Sequence, residues 1–190
     1  MRKTTTPLLD SLKKHLVKKR VSFHVPAHLG KGLPGLKEIS RNNPFSLDLT
    51  ELPGLDDLHC PTGPLRESQR LAAELFKAHR TFYLVNGVSG GIIAAHLYYG
   101  GPGKKILLPR NAHKSNYSGL ILSGSTPVYL PISYQQGIPL NVNIKEVEKA
   151  LDQDPDIDAL FITSPGYHGE CLDLAKLREI THKRGVALVV

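Results

Sequence analysis

The chain of 190 residues has no tryptophan, one methionine and only two cysteines, Cys60 and Cys171. Two cysteines cannot build a disulfide scaffold, so a reduced, cytoplasmic protein is expected. Long apolar runs are missing too. The longest, such as Val186–Val190, are about five residues, against the roughly 20 needed to span a bilayer. The basic residues at the start are followed by no apolar stretch, so neither a secretory leader nor a membrane partner is expected. What remains is ordinary globular composition, with 41% hydrophobic and 22% charged residues, enough for a sizeable core.

The net charge is +7, and its location matters more than its size. Arg2, Lys3, Lys13, Lys14, Lys18, Lys19 and Arg20 face Asp10 alone in the first twenty residues. Six of the seven net charges therefore lie there, and one in the rest of the chain. A nucleic-acid binder spreads basic surface over its folded body and interleaves aromatics to stack bases. Neither feature is present past Arg20, so no nucleic-acid partner is expected, and the basic start reads as the solvated face of a helix. Leu8, Leu9, Leu12 and Leu16 recur at helical spacing within residues 8–19, with the lysines opposite.

Residues 21–63 break that pattern with Pro26, Pro34, Pro44, Pro53 and Pro61, and with Gly30, Gly32, Gly35, Gly54 and Gly63. No long helix survives such spacing. From Pro64 the chain turns regular. A helix opens at Gly63-Pro64 with Leu65, Leu71, Ala72 and Leu75 as its apolar face, followed by a buried strand over Thr81–Val85. Helices are expected over 89–99 and 114–123, from Asn143 with a capping-box start at Glu146, and from Asp173. Strands are expected over Lys105–Pro109, Pro127–Leu130, Ile157–Thr163 and Val186–Val190. This alternation predicts an α/β fold, a largely parallel sheet with helices on both faces. The organisation expected is an N-terminal helix and Pro/Gly-rich arm over 1–63, then a sheet domain over 64–190. Because Val186–Val190 ends on apolar residues inside a strand, the chain reads as an N-terminal fragment.

Three segments at strand ends carry candidate chemistry. Asn86-Gly87-Val88-Ser89-Gly90-Gly91 precedes a helix. Its small residues allow close backbone approach, and the helix N-terminus with the Ser89 hydroxyl suits a phosphate. A glycine turn that serves only packing is equally compatible with the spacing. Neither a full G-x-G-x-x-G nor a Walker lysine is present, which weighs against dinucleotides and nucleoside triphosphates. Arg110-Asn111-Ala112-His113-Lys114-Ser115 offers a histidine able to stack on a flat ring, transfer a proton or bind a metal. Taken alone, it reads more readily as a hydrogen-bonded surface residue. Thr163-Ser164-Pro165-Gly166-Tyr167-His168-Gly169 faces a ligand by position. No metal is expected: Pro26 breaks the helix that His24 and His28 would need, and His59 with Cys60 lacks ligand spacing. Asp56 and Asp57 read as solvated turn carboxylates.

Several blocks in order resemble the N-terminal part of the Orn/Lys/Arg decarboxylase family. They are Phe23-His24-Val25-Pro26-Ala27-His28, the run Asp48-Leu49-Thr50-Glu51-Leu52-Pro53-Gly54-Leu55-Asp56-Asp57-Leu58-His59, Phe82-Tyr83-Leu84-Val85-Asn86-Gly87, Arg110–Ser115 and Thr163-Ser164-Pro165. The resemblance implies the major domain of a pyridoxal-phosphate enzyme of aspartate-aminotransferase type, truncated here. The implied reaction is decarboxylation of arginine, lysine or ornithine on the way to polyamines. It also implies a homodimer or larger homo-oligomer at full length. By position, Ser89 binds the cofactor phosphate, Gly87 and Gly90 give backbone access, His113 stacks on the pyridine ring and acts in catalysis, and Ser115 helps position the cofactor. The family's aspartate at the pyridinium nitrogen and its Schiff-base lysine are expected beyond Val190, so the fragment alone is expected to be inactive. The sequence departs from the family at Val88 and Gly166, where threonine is usual, and at Ala27 and Leu29, where glycine and lysine are usual. The alternatives are a catalytically silent homologue that pairs with an intact partner, and the same fold in another pyridoxal-phosphate reaction such as transamination.

Overall fold

The regular half of the chain is built on strands whose side chains are buried to either side. Ile106, Leu107 and Leu108 are all fully buried, as expected for a parallel sheet covered on both faces. The computed structural model describes residues 5–18, 21–32 and 43–190; Arg2, Lys3, Lys19, Arg20, Pro34 and Gly35 lie outside them. The chain divides into two compact units, Met1–Tyr83 and Leu84–Val190.

The second unit holds four parallel strands in the order β2-β1-β5-β6: β1 Lys105–Pro109, β2 Thr126–Leu130, β5 Ile157–Phe161 and β6 Ala187–Val189. Its helices are α3 Gly87–Tyr99, α4 Lys114–Ser123, α5 Ile144–Gln153 and α6 Leu174–Lys183. Leu107 and Leu160 pack with Val147 and Leu151 of α5 and Leu177 and Ile180 of α6. Ile106, Leu108 and Phe161 pack on the opposite face with Leu120 of α4 and Ala95 of α3. The α/β class with helices on both faces is thereby borne out.

A bulge lets β5 serve both faces. Lys105 pairs with Ile157, but Ile106 pairs with Ala159, so Asp158 is an extra residue. Ile157 and Ala159, two apart, accordingly belong to clusters on opposite faces. Asp158 anchors the irregularity by accepting the Lys105 backbone N–H at 2.9 Å and the Lys104 ammonium at 2.6 Å. The Asp173 side chain caps α6 by accepting from the Lys176 N–H at 3.0 Å. Asn143 caps α5 through the Lys145 N–H, not the Glu146 N–H that a capping box would use.

Three expectations need correction. Thr81–Val85 forms no strand, and no described strand pairs with it. Phe82, Leu84 and Val85 consequently stay exposed, because an apolar run becomes a buried strand only where a ladder partner and a covering layer exist. In the helix opened by Pro64, Ala73 is the buried residue and Leu75 is 77% exposed. A short antiparallel hairpin, β3 Tyr134–Gln135 with β4 Ile138–Pro139, was not anticipated. Gln136 and Gly137 turn it, both at positive φ, as a two-residue hairpin loop requires.

The first unit contains α1 Pro7–Leu16, a 3-10 turn Pro44–Ser46 and α2 Pro64–Phe76, so the helix that the sequence groups with the sheet lies in this unit. Leu9 and Leu16 of α1 remain about half exposed, at 49% and 48%. Between α1 and α2 the described residues hold no other helix or strand, as the spacing of proline predicts.

Candidate functional site

Helix α3 begins at Gly87 with φ +67°, a backbone conformation glycine adopts without strain. The preceding Asn86 makes no side-chain cap, and no acidic residue lies in the first turn. The first N–H groups of the helix are thus left without side-chain partners, beside a half-buried Ser89. A side chain at Gly90 would press on Asn86 Cβ at 3.3 Å, and one at Gly91 on Leu84 at 2.7 Å. The small residues therefore keep this turn open and packed at once. Positive end, free donors and a hydroxyl together make a donor set suited to an anion.

His113 caps α4. Its Nδ1 lies 2.8 Å from Ser115 Oγ and 3.3 Å from the Ser115 backbone N–H. Nδ1 is the acceptor for that N–H, so the ring proton sits on Nε2. Ser115 is 3% exposed, and its hydroxyl is engaged on the ring. The ring itself is exposed. It borders a cleft of about 400 Å³ lined by Asn111 and His113 from the loop after β1, by Leu140 and Asn141 after β4, and by Thr163 and Tyr167 after β5. Two of the three loops singled out in the sequence therefore meet. Gly87, Ser89 and Gly90 are not among the residues lining this cleft.

Asn141 and Glu170 were not anticipated. Asn141 Nδ2 donates to the carbonyls of Thr163 at 3.0 Å and Glu170 at 3.3 Å, which fixes the loop after β5. A Cβ at Gly166 would come within 2.7 Å of Glu170 Oε2 and 3.1 Å of Asn141 Nδ2. Glycine at this position is thus matched to the side chains around it.

His96 also escaped the sequence reading. It is fully buried on α3, stacks on Phe161 at 3.9 Å and places Nε2 3.0 Å from Asn116 Oδ1 on α4. Burial pushes its pKa below the ordinary 6.5, and the Asn116 contact only partly offsets this. On acidification the unfolded chain takes up this proton first. The stability of the second unit is therefore full above pH 6.5 and falls below it, by at most about 1.4 kcal/mol per pH unit. Thermal unfolding followed by circular dichroism from pH 7 to pH 5 should show a shallower decline in His96→Gln than in the wild type. Equal slopes would discount this origin.

His24, His28 and Asp56 are engaged structurally, while Cys60 is a free, exposed thiol. His28 Nδ1 accepts the Gly30 N–H at 3.1 Å and its Nε2 lies 3.1 Å from Asp48, while His24 Nδ1 lies 2.7 Å from the Val25 carbonyl. Among the described residues no group of three or more His, Cys, Asp or Glu is placed to hold a metal ion, and no helix is long and apolar enough to cross a membrane. Asp56, read as a solvated turn carboxylate, instead accepts from a fan of backbone N–H groups at the start of α2.

Fold and loops together define an α/β sheet domain with a cleft at the carboxyl ends of parallel strands β1 and β5. The chain belongs to the Orn/Lys/Arg decarboxylase family: the model for that family's major domain matches residues 6–190. It is 41% identical over 193 residues to an arginine decarboxylase of Halalkalibacterium halodurans, covering 100% of this chain and 39% of the relative. To an arginine decarboxylase of Bacillus subtilis it is 38% identical over 189 residues, covering 97% and 39%. The chain thus spans about 39% of the length of these curated relatives. Its fold is similar to that of the E. coli constitutive lysine decarboxylase, with a TM-score of 0.73, 23% identity, and 86% of this chain and 25% of that one covered.

Proposed function

We propose that this chain supplies the cofactor-holding portion of a pyridoxal-phosphate-dependent decarboxylase of basic amino acids, with arginine the first substrate to test. The observation that carries the reading is the exposed His113 ring, oriented by Ser115 at the edge of the cleft, in a family whose members named above decarboxylate arginine. The donor set also fits the cofactor's two ends, an anion-binding helix start and an aromatic face. The first-turn N–H groups of α3 and the Ser89 hydroxyl bind the phosphate, with Gly87 and Gly90 allowing close backbone approach. His113 stacks on the pyridine ring, and Ser115 fixes the plane of that stack. Val88 offers no hydroxyl, so the phosphate depends more heavily on Ser89 and the backbone.

When bound, the cofactor supplies an electron sink for the electron pair left as carbon dioxide departs, yielding an amine of the kind that feeds polyamine synthesis. No lysine of this sequence falls at the position that the resemblance gives to covalent attachment. The 190 residues therefore bind the cofactor without turning substrate over, and the working protein is a homodimer or larger homo-oligomer.

The test uses pyridoxine 5′-phosphate, which has no aldehyde and reports noncovalent binding alone. Calorimetry on the 190-residue chain should show binding that inorganic phosphate displaces. His113→Ala should weaken it about tenfold through loss of the ring stack. Absence of binding, or binding indifferent to both phosphate and His113→Ala, would overturn the reading.

A further inference from the structure

The two halves of the candidate site sit on different helices, α3 and α4, and one buried side chain joins those helices by a hydrogen bond. His96, fully buried in the C-terminal half of α3, places Nε2 3.0 Å from Asn116 Oδ1. Asn116 is itself 6% exposed, and its Nδ2 lies 3.4 Å from the His113 carbonyl, which also accepts the Asn116 backbone N–H at 2.9 Å. With Nδ2 turned to that carbonyl, Oδ1 is the acceptor and His96 Nε2 carries the proton. The opposite ring nitrogen, Nδ1, is buried without a hydrogen-bond partner.

The surroundings leave this ring little freedom. Phe161 of β5 stacks against it at 3.9 Å. Gly119 of α4 lies so close that a Cβ there would fall 2.5 Å from His96 Cδ2. Helix α3 is otherwise free of charged or amide side chains, so apolar packing alone would not need an imidazole here. A hydrogen bond retained in so apolar a setting fixes geometry more than it adds stability.

We propose that His96 is a positioning residue for His113: by holding the Asn116 amide against the His113 carbonyl, it sets the first turn of α4 and thereby the plane of the His113 ring. This rests on the reading that His113 stacks on the cofactor ring. Without the His96 donor, the buried Asn116 Oδ1 loses its partner and the amide turns to find another, releasing the carbonyl it braces.

The test separates ring binding from phosphate binding on the full chain, with pyridoxine 5′-phosphate and inorganic phosphate as probes. His96→Phe keeps the stacking volume and removes the donor. It should weaken pyridoxine 5′-phosphate about tenfold and leave inorganic phosphate unchanged. His96→Gln, whose amide nitrogen can take the place of Nε2, should restore ring binding to within about twofold of the wild type. If His96→Phe does not fold, Asn116→Ala breaks the same link from the other side and should give the same split. Unchanged binding of pyridoxine 5′-phosphate, equal loss for both probes, or equal loss in the Phe and Gln variants would overturn the proposal. A wild-type chain that binds inorganic phosphate but not pyridoxine 5′-phosphate would instead overturn the ring-stacking reading, and this proposal with it.

Discussion

Asp56→Ala is expected to destabilise the first unit by about 2–3 kcal/mol, although Asp56 lies outside any helix or strand. Its carboxylate accepts from the backbone N–H of Thr62 at 2.9 Å, Gly63 at 2.7 Å, Leu65 at 3.0 Å and Asp57 at 3.0 Å, with Arg66 further off at 3.4 Å. Four of these donors, Thr62, Gly63, Leu65 and Arg66, surround the start of α2, where Gly63 cannot cap by side chain and Pro64 has no N–H. Asp56 is therefore a cap supplied from eight residues before Pro64, held with φ at +81°. Partial burial alone would raise its pKa, but the N–H groups of Thr62, Gly63, Asp57 and Arg66 outweigh it and bring the value to about 2. The ordinary value is 3.8, and with solvent screening at so exposed a group the charge-dependent part of the cap's contribution is about 1 kcal/mol. The folded pKa is the lower one, so this stabilisation is present above pH 4 and is lost as the pH falls towards 2. Hydrogen exchange at the Thr62, Gly63 and Leu65 amides should quicken at neutral pH in Asp56→Ala. In the wild type the same loss of protection, measured against the intrinsic exchange rate at each pH, should appear only on acidification. Unchanged protection in the variant would remove the cap from the account.

The contrast between Asp56 and Asp173 shows which parts of the fold are legible in sequence. Asp173 caps the helix beginning at the next residue, and Asp-Leu ahead of an apolar periodicity announces it. Asp56 reaches donors up to ten residues ahead, and nothing local marks a carboxylate for that use. The sheet follows the same division. Ile106-Leu107-Leu108 and Ala159-Leu160-Phe161 are continuous apolar runs because each strand is buried on both faces, and such runs can be read directly. Thr81–Val85 has the same composition without a described ladder partner, and pairing is a property of two segments. Within the site, the His113–Ser115 contact spans two residues and was visible as a motif, with the resemblance assigning its role. His96 and Asn116 lie twenty residues apart on two helices, so a histidine within an apolar helical run looked like any other. Asn141 and Glu170 reach the cleft only because the hairpin and the loop after β5 fold towards each other.

Ser89→Asp should abolish measurable phosphate binding while leaving the second unit slightly more stable. Ser89 is the third residue of α3, in a first turn with neither an acidic residue nor a side-chain cap. A carboxylate there would meet the free N–H groups and the positive end of the helix, stabilising α3 by about 0.3–1 kcal/mol. A bound phosphate would meet the same carboxylate as a like charge. At a separation of about 5 Å and an effective dielectric of about 20, the repulsion is roughly 3 kcal/mol per pair of unit charges. Losing the hydroxyl as a donor to an anion adds about 1.5–3 kcal/mol. Together these weaken binding by about a thousandfold or more. Ser89→Ala removes only the hydroxyl and should lose about tenfold to a hundredfold, with stability little changed. The opposite signs matter, because a variant that binds less and melts higher cannot have lost its ligand through unfolding. Calorimetry with inorganic phosphate, paired with thermal unfolding of the same samples, reads both quantities. If Ser89→Asp binds phosphate like the wild type, the first turn of α3 is a packing turn and the anion site lies elsewhere. If it binds less but also melts lower, the turn is needed for folding and the electrostatic account of its function fails.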